Sequence, residues 1–153
     1  MLRPVTAHDT PSVVDLVVAA GMFSREEAQF LHGALLPDGE GATCLVEDAD
    51  DRGLASVVVY RPEEATDRVY DLTMIAVRPD LQGGGRGSRL VRHTEEDLRR
   101  RRRRQRLLVV RTSGTPRYDR ARAFYRSLGY TEHPPVADYW TDGDDLVLYT
   151  THL

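Results

Sequence analysis

Residues Tyr70 to Val91, YDLTMIAVRPDLQGGGRGSRLV, constrain the fold of this chain more than any other stretch. The segment begins with the strand-like run 72–77, passes a glycine-rich turn at residues 82–87, and continues with apolar residues at helical spacing. Backbone N–H groups of such a turn point inward, and the helix start adds about half a positive charge. Glycines let an anion approach the backbone because they carry no side chain. The sequence therefore predicts an anion-binding strand–loop–helix unit.

Two common phosphate-binding motifs do not fit this loop. The Walker motif requires Lys followed by Ser or Thr, and the chain contains no Lys. The dinucleotide fingerprint fails because Ser88 stands where a third glycine or alanine belongs, and because the tandem βαβ context is missing. A glycine-rich turn that binds no ligand is the alternative.

A third motif does fit: Gln-x-x-Gly-x-Gly begins at Gln82, after the strand end IAVRPD, and the signature Ala-Phe-Tyr-x-x-x-Gly-Tyr follows at residues 123–130. On these residues, essentially the whole chain resembles the GNAT superfamily of N-acetyltransferases. The resemblance implies an α/β (α+β) fold, a mixed, mostly antiparallel sheet of six to seven strands flanked by helices, with one parallel βαβ unit at the cofactor loop. It also implies that acetyl-CoA is the co-substrate. Its pyrophosphate would be held by Gln82, Gly83, Gly84, Gly85, Arg86, Gly87 and Ser88.

Length and composition set the organisation and the compartment that we expect. A chain of 153 residues predicts a single domain over residues 1–153. A net charge of −3 disfavours a dedicated nucleic-acid binder. One cysteine, Cys44, cannot form an intramolecular disulfide, and neither a signal peptide nor a membrane-spanning run is visible. The histidines lack metal-ligand spacing. We expect a soluble cytoplasmic protein that binds no metal, nucleic acid or membrane.

A capping box at residues 24–27 predicts a helix that runs to about Leu36. The resemblance implies that this helix and the preceding one wall one side of the acceptor pocket. Met22, Phe23 and Phe30 are therefore candidate substrate contacts, although core packing is the favoured interpretation.

Asp71 is the candidate general base. An amine with a pKa near 10 is mostly protonated at neutral pH, so acetyl transfer to it requires removal of a proton. Some members of the resembled superfamily use a Glu eleven residues before the loop glutamine, and Asp71 stands at that offset from Gln82. Because Asp is shorter, we expect it to act through a water. The alternatives are that Asp71 pairs with an arginine or caps a strand edge, and that Thr73 or Tyr70 orients the acceptor.

Tyr125 is the candidate general acid. The resemblance places it near the cofactor sulfur, where a phenol of pKa near 10 can protonate the departing thiolate, whose thiol lies near 8.5. The neighbouring Phe124 is a candidate cofactor contact. The alternative for Tyr125 is aromatic packing against the sheet. Many relatives carry an Asn seven residues earlier, where this chain has Tyr118, and Thr112 or Ser113 is expected to replace that Asn.

The resemblance also implies how the arm of the cofactor is bound. The apolar run Leu107–Val110 predicts a strand parallel to the central one, and the two strands are expected to splay apart around the arm. Backbone groups of Ile75 and Val77, with Ala76 between them, would pair with the pantetheine amides. We expect residues 112–116 to form a loop, and the helix after the glycine loop to run from Ser88 to about Arg102.

The implied function is transfer of an acetyl group from acetyl-CoA to a primary amine, on a small molecule or a peptide, by direct attack in a ternary complex. Asp138, Tyr139 and Trp140 are candidate acceptor contacts on a C-terminal hairpin, and a homodimer is possible. One alternative is a non-catalytic acyl-CoA-binding or protein-interaction module of the same fold. Another is a nucleic-acid-binding module that uses the arginines of residues 99–106, although no aromatic residues are interleaved among them.

Overall fold

The computed structural model describes residues 1–30 and 40–153, without the side chain of Phe30. The chain divides into two compact units, residues 1–61 with 73–94, and residues 62–72 with 95–153. The organisation of residues 1–153 as a single domain stays a prediction.

The secondary-structure elements follow one another from β1 to β8 in chain order. The elements up to residue 100 are β1 (Leu2–Pro4), α1 (Thr10–Ala19), α2 (Arg25–Phe30), β2 (Thr43–Asp48), β3 (Leu54–Pro62), β4 (Val69–Val77) and α3 (Arg86–Arg100). The later elements are β5 (Leu107–Ser113), α4 (Asp119–Ser127), β6 (Thr131–Glu132), β7 (Val136–Thr141) and β8 (Asp144–His152).

In the described part of the chain, eight strands form a mixed sheet in the order β1-β2-β3-β4-β5-β8-β6, with β7 paired to β8. Strands β4 and β5 are parallel and are connected through α3, whereas β5, β6 and β7 each pair antiparallel with β8. This arrangement confirms the predicted mostly antiparallel sheet with flanking helices and one parallel βαβ unit. The described strands exceed the expected six to seven because the two-residue strand β6 also joins the sheet.

The core of the first unit lies between α1 and strands β2 to β4. Helix α1 buries Val13, Leu16 and Val17, which recur at helical spacing, against alternate residues of the strands. The capping box of α2 is present: the Ser24 N–H donates to Glu27 Oε2 (2.7 Å), and the Glu27 N–H donates to Ser24 Oγ (3.1 Å). The predicted continuation of α2 to Leu36 falls on residues 31–39, outside the described residues.

Two predicted segments have different bounds in the structure. Helix α3 begins at Arg86, two residues earlier than predicted, because Gly85 O accepts a hydrogen bond from the Arg89 N–H (3.0 Å) and so starts the first turn; the helix also ends earlier, at Arg100. Residues 112 and 113, predicted in a loop, belong to β5, because they pair with Val147 and Leu146 of β8. Strand pairing overrides the turn-forming composition of this segment.

Candidate active site

The glycine loop between β4 and α3 presents open backbone. Residues 82–85 are exposed, and Gly83 (φ +83°) and Gly85 (φ +75°) adopt the left-handed conformation that favours glycine. A methyl group added at Gly83 or at Gly84 would meet no atom within 4 Å. The first N–H groups of the 15-residue helix α3 have no intrahelical acceptor by position. The loop therefore offers backbone donors and space for an anion of diphosphate size.

Side chains at the loop donate hydrogen bonds to carbonyl oxygens of the loop and of the end of β4. Gln82 Nε2 donates to Val77 O (2.9 Å), and Arg89 Nη1 donates to Gly84 O (3.1 Å). Arg86, predicted to contact the cofactor, directs its guanidinium toward Glu47 of β2, with Nε 3.5 Å from Oε2. One carbonyl oxygen of the loop and one at the end of β4 are thus bound to side-chain donors.

The residues of strand β4 alternate between more and less buried positions. Asp71, Thr73, Ile75 and Val77 are the less buried residues, and the residues between them, including Ala76, are buried. Ala76 therefore has only its backbone to offer a cofactor. The parallel ladder covers only residues 69–71 of β4 with residues 107–109 of β5.

Asp71 belongs to an ion-pair cluster in the second unit. Nη1 of Arg111 lies 2.8 Å from Asp71 Oδ2 and 2.8 Å from Glu63 Oε2. Neither partner was predicted from the sequence, although pairing of Asp71 with an arginine was one of the alternatives. The signal for Arg111 was a charged residue directly after the apolar run of β5; the position of Glu63 beside it follows only from the fold. The role of Asp71 as base stays a prediction.

Tyr125 lies in an aromatic cluster of the second unit. Its ring is 3% exposed and packs on Phe124, Tyr130 and Tyr149, at centroid distances of 5.1, 5.7 and 5.5 Å. Burial, followed by the charge of Asp71, raises the pKa of Tyr125, so its phenol stays protonated at neutral pH. Its hydroxyl forms no hydrogen bond with any residue that the structure describes. The ring of Tyr125 therefore packs as the alternative expected. Its protonated hydroxyl is still able to donate a proton, and the catalytic role of Tyr125 stays a prediction.

The residues expected to replace the missing Asn have protein partners. Thr112 Oγ1 donates to Val147 O (2.8 Å), and Ser113 Oγ donates to Asp144. Each hydroxyl has thus used its one hydrogen atom and can only accept a hydrogen bond from a cofactor. Arg122, which was not predicted from the sequence, donates hydrogen bonds to the carbonyl groups of Ser113 and Thr115 and so fixes the end of β5. Its position three residues after Asp119, with which it pairs, was the available signal.

The hairpin of β7 and β8 exposes large apolar side chains. Val136, Tyr139 and Trp140 are 52%, 49% and 48% exposed. The two aromatic rings meet edge to face at 4.9 Å, and Trp140 Nε1 donates to the carbonyl oxygen of Thr112 in β5 (3.2 Å). In the other unit, Met22 and Phe23 pack against the core, as the favoured interpretation expected.

The arginine run that begins at the end of α3 is largely paired. Arg99–Arg101 form ion pairs with Glu95–Asp97, four residues earlier, at 3.3, 3.3 and 2.8 Å, and Arg103 pairs with Asp67 at 2.9 Å. Paired guanidinium groups offer less charge to a phosphate backbone, which weakens the nucleic-acid alternative.

Two further predictions concern metals and membranes. Within residues 1–30 and 40–153, no group of three or more His, Cys, Asp or Glu side chains is arranged to hold a metal ion. No helix in these ranges is both long enough and apolar enough to cross a membrane.

The mixed sheet with its strand–glycine loop–helix unit is the fold that the resemblance to the GNAT superfamily implied. A sequence profile for the acetyltransferase (GNAT) domain matches residues 40–132. The chain therefore belongs to the GNAT family of acetyltransferases, as its motifs indicated. No curated protein sequence matches it.

Solved structures agree with this assignment. A protein described as a GNAT-family acetyltransferase from Desulfovibrio desulfuricans is 32% identical, with a TM-score of 0.86 over 99% of this chain and 98% of that one. The ribosomal-protein-S18-alanine N-acetyltransferase of Escherichia coli shares the fold at 20% identity, with a TM-score of 0.77 over 99% and 92% of the two chains. An aminoglycoside 6'-N-acetyltransferase complexed with coenzyme A shares it at 12% identity, with a TM-score of 0.75 over 99% and 96%.

Proposed function

We propose that this chain is an N-acetyltransferase that transfers the acetyl group of acetyl-CoA to a primary amine. The observation that carries the proposal is the glycine loop, whose exposed backbone and helix start suit a diphosphate, in a chain that belongs to the GNAT family. Of the structurally similar enzymes, one is named for a ribosomal-protein alanine and another for an aminoglycoside, and both are N-acetyltransferases. These names support an amine acceptor and leave its identity open.

Acetyl-CoA fits the loop as a co-substrate. The N–H groups from Gly83 to Ser88 would hold its pyrophosphate, and Gln82 and Arg86 are further proposed contacts. Backbone groups of Ile75, Ala76 and Val77, together with Thr112 and Phe124, are the proposed contacts of the pantetheine arm. The co-substrate supplies an activated acetyl thioester, and the protein must position it and manage the protons.

The chemistry of the one cysteine favours direct attack by the amine. An acyl-enzyme route would need a reactive thiolate, but Cys44 is 5% exposed and burial raises its pKa to about 12. The thiol therefore stays protonated at neutral pH. We propose that the amine attacks the thioester carbonyl in a ternary complex.

Two side chains would manage the protons. Asp71, acting through a water, would accept the proton of the amine, and the Tyr125 hydroxyl would donate a proton to the departing thiolate. Burial raises the pKa of the Tyr125 phenol, and it also disfavours a thiolate beside that phenol. The pKa values of the proton donor and of the thiol are therefore shifted in the same direction. The transfer can therefore remain favourable despite the raised pKa of Tyr125.

Titration calorimetry with acetyl-CoA and with free coenzyme A tests the proposal. The sharpest variant is Gly84→Glu, because Gly84 lies outside the left-handed region and has open space around it, so the new carboxylate adds charge and bulk without backbone strain. Gly84→Ala is the matched control. We expect binding by the wild type and by Gly84→Ala, and loss of binding by Gly84→Glu.

A screen of amines for release of coenzyme A thiol follows the binding measurement. Turnover with an amine supports the enzymatic function. Binding of acetyl-CoA without turnover of any amine would instead support the alternative, a non-catalytic acyl-CoA-binding or protein-interaction module. No binding by folded wild-type protein would mean that the glycine loop is structural, and the enzymatic proposal would fail. A cytoplasmic location, the single domain and a homodimer stay predictions.

A further inference from the structure

Arg111 of β5 is anchored through one of its three guanidinium nitrogen atoms. Nη1 contacts both carboxylates of the cluster, at 2.8 Å from Glu63 and 2.8 Å from Asp71. Nε and Nη2 form no hydrogen bond or ion pair with any of the residues described in the structure. The side chain is 28% exposed, so solvent reaches this guanidinium. The contacts of Nη1 with Glu63 and Asp71 fix the plane of the guanidinium group and leave its Nε–Nη2 edge available to a ligand.

The available edge has the geometry of a carboxylate receptor. Nε and Nη2 lie side by side and present two parallel N–H donors, the fork that binds a carboxylate through both oxygens. Hydrogen bonding to Glu63, with the nearby charge of Asp71, raises the pKa of Arg111, so the guanidinium keeps its charge. A fork that is already oriented loses little conformational entropy when it binds a ligand.

The surroundings suit a ligand that carries charges of both signs. Glu63, Asp71 and Arg111 together have a net charge of −1, which would oppose a simple anion but attracts an ammonium group. The exposed Trp140 donates a hydrogen bond to the carbonyl oxygen of Thr112, the residue next to Arg111, and the ring of Tyr139 packs on Trp140. An amino acid carries all three groups that these surroundings favour. They are a carboxylate for Arg111, an ammonium for the acidic side chains and an apolar part for the aromatic rings.

We propose that the acceptor is an amino acid whose carboxylate binds the Nε–Nη2 edge of Arg111; the inference rests on the acetyltransferase function proposed above. In the reaction the amine nitrogen forms a bond to the acetyl carbon, the carbon–sulfur bond breaks, and the amine proton leaves to the base while the thiolate is protonated. The carboxylate takes no part in this exchange, so Arg111 determines specificity and is not a catalytic residue.

The test measures acetyl transfer to matched pairs of acceptors that differ only in the carboxylate: phenylalanine against phenylalaninamide and phenethylamine, and tryptophan against tryptamine. The wild type should prefer the amino acid. Arg111→Lys keeps a cation beside Glu63 and Asp71 but removes the fork, and it should raise KM for the amino acids about 10- to 100-fold, with KM for the decarboxylated amines nearly unchanged. Arg102→Lys, at an exposed arginine of the same unit, is the matched control and should change neither.

The outcomes separate this inference from the function on which it rests. Transfer that is indifferent to the carboxylate, or that favours the decarboxylated amines, would overturn the amino-acid proposal while the acetyltransferase function stands. If acetyl-CoA binds but no amine is acetylated, the enzymatic function fails, and calorimetry of the same amino acids with the protein–coenzyme A complex decides the inference. Absence of amino-acid binding there would overturn it, and binding lost in Arg111→Lys would support a carboxylate site without catalysis.

Discussion

The glycine loop and the aromatic cluster of Tyr125 are proposed to serve one reaction, but they are built in different ways. The loop and the start of α3 occupy seven consecutive residues, 82–88, and the proposed binding groups are backbone N–H donors. The cluster joins Tyr125 and Tyr130, which belong to one motif, to Tyr149 of β8, and the protonation of Tyr125 depends on burial. A site made of consecutive backbone can be predicted from a motif, whereas the state of a side chain depends on neighbours that a motif does not specify.

Removal of the Tyr125 hydroxyl is expected to cause the largest effect, a loss of turnover. Tyr125→Phe should lower kcat by about 10²- to 10⁴-fold, the usual contribution of a general acid, while the Kd for acetyl-CoA stays nearly the same. Stability should also stay nearly the same, because no described residue bonds to that hydroxyl. Steady-state kinetics, calorimetry and thermal unfolding measure the three quantities.

Tyr130→Phe is the control within the same cluster. It removes the hydrogen bond from Tyr130 Oη to Glu95 Oε1 (2.7 Å), so the free energy of unfolding should fall by about 1.5–3 kcal/mol with little change in kcat. Unchanged turnover in Tyr125→Phe would reduce Tyr125 to a packing residue.

Asp71 has two roles, as the proposed base and as an ion-pair partner of Arg111. A substitution at Glu63, the other partner of Arg111, separates them. If Asp71 is the base, Asp71→Asn should lower kcat about 10²-fold and change the pH–rate profile. Glu63→Gln makes the same isosteric change at the other carboxylate bound to Arg111 Nη1, and it should leave the pH–rate profile intact. Equal losses in the two variants would show that the ion pairs matter and that Asp71 is not the base.

Alkaline unfolding tests the burial of the aromatic cluster. Burial raises the pKa of Tyr125 and, with the hydrogen bond to Glu95, the pKa of Tyr130; burial and Glu132 raise the pKa of Tyr149 to about 12. Above pH 10 or so the unfolded chain releases tyrosine protons that the folded chain retains, so the free energy of unfolding falls as pH rises. The stabilisation is complete below pH 10 or so and is lost as pH rises toward the folded-state pKa values.

This chain suits that measurement because it contains no lysine to titrate in the same range. Each buried tyrosine should contribute a slope of up to about 1.4 kcal/mol per pH unit, and Tyr125→Phe and Tyr130→Phe should each remove one such contribution. Chemical denaturation at several pH values between 9 and 12 gives the slopes. Identical slopes for the wild type and both variants would contradict the burial of these phenols.

The smallest effect concerns the loop itself. Gly85→Ala should lower the free energy of unfolding by about 1–2 kcal/mol, because an L-residue is strained at φ +75°, whereas Gly84→Ala should stay within about 0.5 kcal/mol of the wild type. Urea unfolding of the two variants measures the difference. Equal stability would mean that the left-handed residue is not needed, and the loop would then be less dependent on its glycines than the motif implies.

Several parts of the fold were predictable because their signals are local. The capping box of Ser24 and Glu27 and the helix stops at Gly21 and Gly129, both with positive φ, follow from neighbouring residues. The end of β5 was not predictable: Thr112 and Ser113 have the composition of a loop, and only the pairing with β8 makes them a strand.

The candidate site divides in the same way. The order strand, glycine loop and helix, and with it the family and the proposed co-substrate, was determined by the sequence, because each step depends on residues a few positions apart. The contacts of Arg111 were decided by the tertiary structure, because Asp71 is 40 residues away in the chain and reaches it only through the register of two parallel strands. The protonation of Tyr125 was decided in the same way, since desolvation depends on every element packed around a ring, and no spacing of residues records it.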